Sequence, residues 1–161
     1  MQPSKNLAPI ELDIPGWGHV LIKNLVLDFT GTLSCDGKLL EGVANRLIKL
    51  AQHLSITVLT ADTFGSAAGQ LEGLPLDLHL IRSSKDKVAF MEGLNLAETV
   101  AIGNGRNDVE MIRMAGIGIA VIRPEACAGQ LLAAADIICA DILAGLDLLR
   151  TPLRIVATLR E

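Results

Sequence analysis

The chain alternates between short apolar runs and segments in which apolar residues recur at helical spacing. The apolar runs at 25–27, 56–59 and 99–103 have the length of buried strands, and polar residues follow each of them. After the first run, Val43 and Leu47 begin a helical repeat. Strands and helices that alternate with short links predict a doubly wound, mostly parallel Rossmann-like α/β sheet with helices on both faces.

The same patterns predict the elements in chain order. Strands are predicted at 11–14, 19–23, 25–28, 56–59, 76–80, 99–103, 117–122 and 136–139. Helices are predicted at 43–54, 64–72, 86–94 and 109–115, then from Pro124 onward and twice more near the C-terminus. At 76–80 apolar and polar residues alternate, which indicates a half-exposed edge strand.

Two hairpins are predicted beside the main sheet. The turn formers at 15–18 join the first two strands into an N-terminal β-hairpin. An Asp36-Gly37 turn folds 34–40 into a small flap next to Asp28. If the strand before Asp28 is central, its neighbours end at Thr60 and Gly103, and the three strand ends converge on one crevice.

Composition limits the classes of protein that remain. A length of 161 residues suits one domain, 1–161, in which 1–9 form a loose tail. With 3 Phe, 1 Trp and no Tyr, the core must be aliphatic. A net charge of -4 without a basic run argues against nucleic acid, and no apolar run approaches the ~20 residues of a membrane helix. Three scattered cysteines favour reduced thiols in the cytoplasm.

Candidate catalytic residues follow three of the predicted strands. Asp28 ends the first, and the others are Thr30, Thr32, Thr60, Asn104, Asn107 and Asp108, with Lys85 or Lys87 before the third. They supply a carboxylate nucleophile, hydroxyl donors, a cation and oxygen ligands for a hard metal such as Mg²⁺. This set of groups predicts phosphoryl transfer.

Four of these segments resemble the motifs of the haloacid dehalogenase (HAD) superfamily. Asp28-Phe-Thr-Gly-Thr-Leu is similar to its first motif, and specifically to the Asp-Lys-Thr-Gly-Thr of P-type ATPase phosphorylation domains. Thr60 falls at the second motif, and 84–87 resembles the stretch that carries the lysine of the family. Gly103-Asn-Gly-Arg-Asn-Asp, followed by a helix and Gly116-Ile-Gly-Ile-Ala-Val, is similar to the Gly-Asp-Gly-x-Asn-Asp hinge and the strand beyond it.

The resemblance implies a role for each residue. Asp28 would attack phosphorus and become an aspartyl phosphate, Thr60 would hydrogen-bond the phosphoryl group, and Lys87, or Lys85 as second choice, would offset the negative charge. Mg²⁺ is the implied cofactor, and its implied ligands are Asp28, the Thr30 carbonyl, Asn104 and Asp108.

Two residues depart from the pattern of the family. Thr30 stands where soluble phosphatases of the superfamily have an Asp that acts as general acid and base, so hydrolysis of the aspartyl phosphate should be slow. Asn104 stands where the family has a metal-binding Asp, so the affinity for Mg²⁺ should fall unless Asp108 also binds the ion. If Asp108 is not a metal ligand, it is expected to hold Lys87 or a metal-bound water.

These residues predict a capless phosphohydrolase or phosphotransferase with slow turnover. The intervals on either side of Thr60 are filled by scaffold elements, so an open site is expected. The expected substrate is a phosphorylated small molecule or a phosphoprotein. A homo-oligomer is also possible, in which a neighbouring subunit would cover the open site. No nucleic-acid or membrane partner is expected. The alternative is a catalytically impaired module that binds Mg²⁺ and phosphate or a protein partner. A third and weaker hypothesis is that the chain is one domain of a membrane pump.

Overall fold

The computed structural model describes residues 7–161, and its centre is a six-stranded sheet. The strands are β1 Ile10–Ile14, β2 Gly18–Ile22, β3 Asn24–Leu27, β4 Ser34–Cys35, β5 Lys38–Leu39, β6 Ser55–Thr60, β7 Asp77–Leu80, β8 Thr99–Gly103, β9 Ile117–Val121 and β10 Ile137–Cys139. The helices are α1 Val43–Leu50, α2 Ala67–Leu71, α3 Ser84–Glu92, α4 Val109–Met114, α5 Gly129–Ala134, α6 Ile142–Arg150 and α7 Leu153–Leu159.

The main sheet has the order β10-β9-β8-β3-β6-β7, and every neighbouring pair is parallel. Strand β3 is therefore internal, with Leu25 opposite Ile56 of β6 on one side and Val100 of β8 on the other. Strand β7 lies at an edge, as its alternating pattern predicted. The predicted fold class and the convergence of β3, β6 and β8 are confirmed.

Two aliphatic layers cover the sheet. Side chains alternate along β3, so Leu25 and Leu27 face one layer and Val26 faces the other. The first layer includes α1, α6 and the buried face of the β1–β2 hairpin, whereas the second includes residues of α3, α4 and α5. This packing holds the central strand on both faces and fixes the position of its end.

Both predicted hairpins are present. In β1 the apolar residues alternate with exposed polar ones and face the core, which explains why the N-terminal hairpin packs on the first layer. Strands β4 and β5 pair antiparallel and form the flap after Asp28. Of the loose tail predicted for 1–9, residues 1–6 lie outside the described residues.

The helix predicted from Pro124 is wrong, because α5 begins only at Gly129. Residues 122–128 are irregular: the amides of Ile122 and Arg123 donate to the carbonyls of Cys139 and Ala140, and the Ala128 amide donates to the Asn104 carbonyl. Hydrogen bonds to neighbouring strands and loops therefore replace those of a helical turn.

Within residues 7–161, no helix is both long enough and apolar enough to cross a membrane. The three cysteines form no disulfide.

An ion pair joins α1 to α6. Arg46 donates from Nε and Nη2 to the two carboxylate oxygens of Asp147, at 2.9 Å each. The side chains are 24% and 23% exposed, and the hydrogen bonds from Arg46 hold the pKa of Asp147 below its usual range. The pair therefore stabilises the folded state while Asp147 is ionised.

Asp147→Asn should lower the free energy of unfolding at pH 7 by about 1–2 kcal/mol, because the charge-assisted pairs with Arg46 and Arg150 are both lost. The contribution of a carboxylate with a lowered pKa is complete above its unfolded pKa of ~3.9 and disappears as the pH falls further. Urea unfolding at pH 7 and pH 3 should show this decline, whereas Glu110→Gln, in an exposed pair with Arg113, should change little at either pH. An Asp147→Asn effect of equal size at both values would contradict the account.

Candidate active site

Asp28 lies directly after the central strand and is only 4% exposed. Its amide donates to the Ile102 carbonyl at 3.0 Å, which continues the pairing with β8. The chain then turns around the Phe29 carbonyl, which accepts hydrogen bonds from the amides of Thr32, Leu33 and Ser34. Phe29 is itself buried, so this loop is anchored in the core and holds Asp28 firmly.

Lys87 bridges two carboxylates beneath the site. Its Nζ donates to Asp28 Oδ1 at 2.8 Å and to Asp108 Oδ1 at 2.5 Å, and its side chain is fully buried. A capping box between Ser83 and Asp86 fixes the start of α3, which turns Lys87 inward and leaves Lys85 exposed. Of the two lysines named from the sequence, Lys87 is therefore the one that contacts Asp28.

Asp108 anchors the loop after β8. Its Oδ2 accepts hydrogen bonds from the amides of Asn104 at 3.1 Å and Gly105 at 2.9 Å. A Cβ at Gly103 would lie 2.5 Å from the same oxygen, so the loop closes over Asp108 only with glycine at this position. Both carboxylate oxygens of Asp108 thus have protein partners.

The electrostatics of the three charges are coupled. Burial raises the pKa of Asp28 to about 7, and the charge of Asp108 adds to this increase while Lys87 opposes it. Burial lowers the pKa of Lys87, but Asp28 and Asp108 outweigh that effect and raise it above the usual value. The lysine therefore stays cationic, and Asp28 is the group that exchanges a proton near neutral pH.

Thr32 and Asn104 connect Asp28 to the neighbouring loops. Thr32 Oγ1 lies 3.2 Å from Asp28 Oδ2 and 3.0 Å from Asn104 Oδ1, and its single hydroxyl proton is shared between these two acceptors. Asn104 Nδ2 donates in turn to the Ala126 carbonyl at 2.8 Å. Thr32 was predicted from the sequence only as a candidate hydroxyl donor, without a partner, because its signal is a hydroxyl in the Thr-Gly-Thr segment.

A cavity of about 170 Å³ opens above Asp28 at the carboxyl ends of β3, β6 and β8. Its lining residues are Asp28, Thr30, Thr60, Ala61, Thr63, Asn104, Gly105 and Asn107. The structure thus brings together five of the residues named from the sequence at the cavity wall, with Lys87 and Asp108 buried below. The volume suits a phosphate group and a few water molecules.

The two threonines of the wall differ in their hydrogen bonds. Thr60 Oγ1 accepts from the Asp62 amide at 3.0 Å and keeps its own proton free to donate. Thr30 Oγ1 is buried and has no hydrogen-bond partner among the described residues. Asp62 Oδ1 accepts from the amides of Ser66 and Ala67 and thereby pairs two amides at the start of α2.

The donors around the cavity are oxygens. No group of three or more His, Cys, Asp or Glu side chains in residues 7–161 is arranged to hold a metal. Asp28, Asn104 and Thr30 nevertheless all line the cavity, and they carry a carboxylate, an amide oxygen and a backbone carbonyl. Mg²⁺ binds such hard oxygen donors and keeps several waters, so this set fits a partly hydrated magnesium ion.

The fold and the site define a doubly wound α/β protein with a buried carboxylate at the end of its central strand. A family model described as haloacid dehalogenase-like hydrolase matches residues 83–141. This match confirms the predicted similarity to the haloacid dehalogenase superfamily over the segment that carries Lys87, Asn104 and Asp108.

Three known proteins illustrate the relationship. Over 56 residues the chain is 41% identical to phosphoserine phosphatase from Methanocaldococcus jannaschii, and the match spans 35% of this chain and only 26% of that phosphatase. The 3-deoxy-D-manno-octulosonate 8-phosphate phosphatase from Moraxella catarrhalis, solved with magnesium, phosphate and KDO, superposes with a TM-score of 0.60 and 20% identity over 86% of this chain and 87% of that one. A zinc-transporting PIB-type ATPase gives a TM-score of 0.61 and 28% identity, over 74% of this chain and 20% of the ATPase.

Proposed function

We propose that the protein is a Mg²⁺-dependent phosphohydrolase or phosphotransferase that acts through an aspartyl phosphate on Asp28. The observation that carries this proposal is the position of Asp28 at the floor of a phosphate-sized cavity, 2.8 Å from the buried Lys87 ammonium. A carboxylate held against a cation and freed from bulk water is a suitable nucleophile for phosphorus.

Each neighbour has a role in the proposed reaction. In its ionised form, Asp28 attacks the phosphorus atom through one carboxylate oxygen. Lys87 offsets the charge of nucleophile and phosphoryl group, while Thr60 donates its free hydroxyl proton to a phosphoryl oxygen. Asp108 positions Lys87, and Thr32 orients the carboxylate of Asp28.

Asp28, the carbonyl of Thr30 and Asn104 would hold Mg²⁺, and Asp108 is an additional ligand only if it leaves its present partners. When bound, the ion neutralises negative charge on the transferring phosphoryl group. Asn104 contributes no charge, and its oxygen already accepts from Thr32, so we expect weak affinity for magnesium.

The two phosphatases described above carry the names of small phosphorylated metabolites. We propose a phosphorylated small molecule as the substrate, with a phosphoprotein as the alternative. A cytoplasmic location, a single domain and a homo-oligomer remain predictions from the sequence. Thr30 and Asn104 favour the second candidate function, a module that binds Mg²⁺ and phosphate or a partner without turning substrate over.

One experiment separates the two functions. The protein is incubated with Mg²⁺ and acetyl phosphate, quenched in acid and examined by intact mass. The enzyme should gain the mass of one phosphoryl group. If neither an adduct nor release of phosphate occurs over a wide range of Mg²⁺ concentration, the protein is the binding module.

Thr30→Asp should accelerate hydrolysis of the aspartyl phosphate by ~10²–10⁴, because it introduces a carboxylate that can accept a proton from the attacking water. The decay of the adduct is followed by mass after excess acetyl phosphate is removed. Thr30→Val, which has nearly the same shape but no acid, is the matched control and should decay slowly. Equal decay of the adduct in Thr30→Asp and the wild type would show that residue 30 does not limit hydrolysis.

A further inference from the structure

We propose that the site selects its phosphate donor by the basicity of the leaving group, and that its substrate is an acyl phosphate or another donor whose leaving group departs as a stable anion. This inference rests on the proposed function, since it concerns the first transfer to Asp28. It differs from the alkyl phosphate esters that the names of the related phosphatases indicate.

The proposal depends on the side chains that line the cavity. Among the described residues that line it, Asp28 is the only ionisable one; the others are threonine, asparagine, alanine and glycine. Asp28 cannot serve as nucleophile and also protonate the departing oxygen. Lys87 lies below the wall, with its Nζ bonded to Asp28 and Asp108 and its side chain fully buried. The lining therefore offers the leaving group no acid at neutral pH.

Thr30 supplies a different group. Its hydroxyl is buried at the wall without a hydrogen-bond partner among the described residues, so a ligand oxygen can satisfy it. A threonine hydroxyl can donate a hydrogen bond to the departing oxygen but does not give up its proton at neutral pH. It stabilises an oxygen that is already a weak base and does little for an alkoxide.

The nearest alternative acid is Glu125. Its Oε2 lies 3.1 Å from the position that a Cβ on Gly31 would occupy, next to Thr30. Glu125 is exposed and is not among the residues that line the cavity.

The balance of the transfer step explains the preference. An Asp28 oxygen forms a bond to phosphorus while the bond from phosphorus to the donor oxygen breaks, and the electron pair leaves with that oxygen. From an acyl phosphate the product is a carboxylate, whose conjugate acid has a pKa of ~4, so no proton is needed. One acyl phosphate replaces another, and the step is nearly balanced in energy. From phosphoserine the same step would expel an unprotonated alkoxide, which is far more basic than a phenolate, whose conjugate acid has a pKa of ~10.

The test measures first-turnover consumption of three donors by rapid quench: acetyl phosphate, phenyl phosphate and phosphoserine, each with Mg²⁺. In the wild type the rate should fall steeply in that order. In Thr30→Asp the ratio of the acetyl phosphate rate to the phosphoserine rate should fall by ~10²–10⁴, because phosphoserine gains a proton donor. Thr30→Val should keep a high ratio, and thermal unfolding checks that each variant is folded.

Three results would overturn the inference. If the wild type consumes phosphoserine as fast as acetyl phosphate, the transfer rate does not depend on the basicity of the leaving group. This comparison needs no variant. A ratio unchanged in folded Thr30→Asp removes residue 30 from the account. A selective loss of phosphoserine consumption in Glu125→Gln would assign the missing acid to Glu125. Failure of every donor, acetyl phosphate included, is the distinct outcome that also removes the proposed function.

Discussion

Asp28→Asn should abolish the phosphoryl adduct, lowering its rate of formation from acetyl phosphate by at least about a thousandfold. An amide oxygen is a poor nucleophile toward phosphorus, and no other carboxylate among the described residues lines the cavity. Intact mass after an acid quench measures the effect directly. The matched control is Asp36→Asn, an exposed carboxylate in the flap turn, which should keep the adduct.

The fold of Asp28→Asn should persist, because an amide oxygen can still accept from Lys87. A carboxyl group with a raised folded pKa stabilises most below its unfolded pKa of ~3.9, and this contribution is lost as the pH rises through about 7. The amide that replaces the carboxyl group does not titrate, so Asp28→Asn should not lose this stability. As the pH rises from ~3.9 to about 7, the variant should therefore become more stable relative to the wild type, as measured by urea unfolding without metal. A persistent adduct in this folded variant would place the nucleophile elsewhere.

Lys87→Met should lower the free energy of unfolding by about 3–5 kcal/mol and abolish the adduct. The substitution leaves Asp28 and Asp108 buried together without the cation that both contact. Lys85→Met is the matched control on the same helix: its exposed side chain should change stability by less than about 0.5 kcal/mol and leave the adduct intact.

The double variant Lys87→Met with Asp108→Asn tests the cause of that instability. It removes one of the two carboxylates, so it should recover part of the stability that Lys87→Met alone loses. It should not recover the adduct, because the charge beside Asp28 is still missing. A double variant less stable than Lys87→Met would show that packing of the lysine stem, and not charge, dominates.

The sequence predicted the arrangement around Asp28 because its signals are local. Apolar runs ended at Asp28, Thr60 and Gly103, and the polar residues after them marked the edge of the sheet where the site lies. The choice between Lys85 and Lys87 depended on the phase of α3, which the Ser83 cap sets. The sequence indicated this phase only in part: Lys87 lies one helical turn before Met91, an apolar residue that is buried in the structure.

Features built from distant segments could not be predicted in the same way. Asn104 was interpreted only as a metal ligand, because its contacts with Thr32 and Ala126 come from loops that are far apart in the sequence. The local preference of Pro124 predicted that a helix begins there. In the structure, amides in 122–128 hydrogen-bond to other parts of the chain instead, and the helix begins only at Gly129. In both cases tertiary contacts outweigh the local signal.

Two glycines packed against Asn104 and Asp108 limit how the site can vary. A Cβ at Gly31 would overlap Asn104 Nδ2, just as one at Gly103 would overlap Asp108 Oδ2, and Gly31 also has a φ of +76°. Gly69 and Gly129, by contrast, have no atom within 4 Å of an added Cβ. A saturation library selected for folded protein should therefore be depleted of every substitution at Gly31 and Gly103 and should accept alanine at Gly69 and Gly129. The backbone at these two positions is thus the least evolvable part of the site, and changes in specificity should arise instead among the side chains that line the cavity.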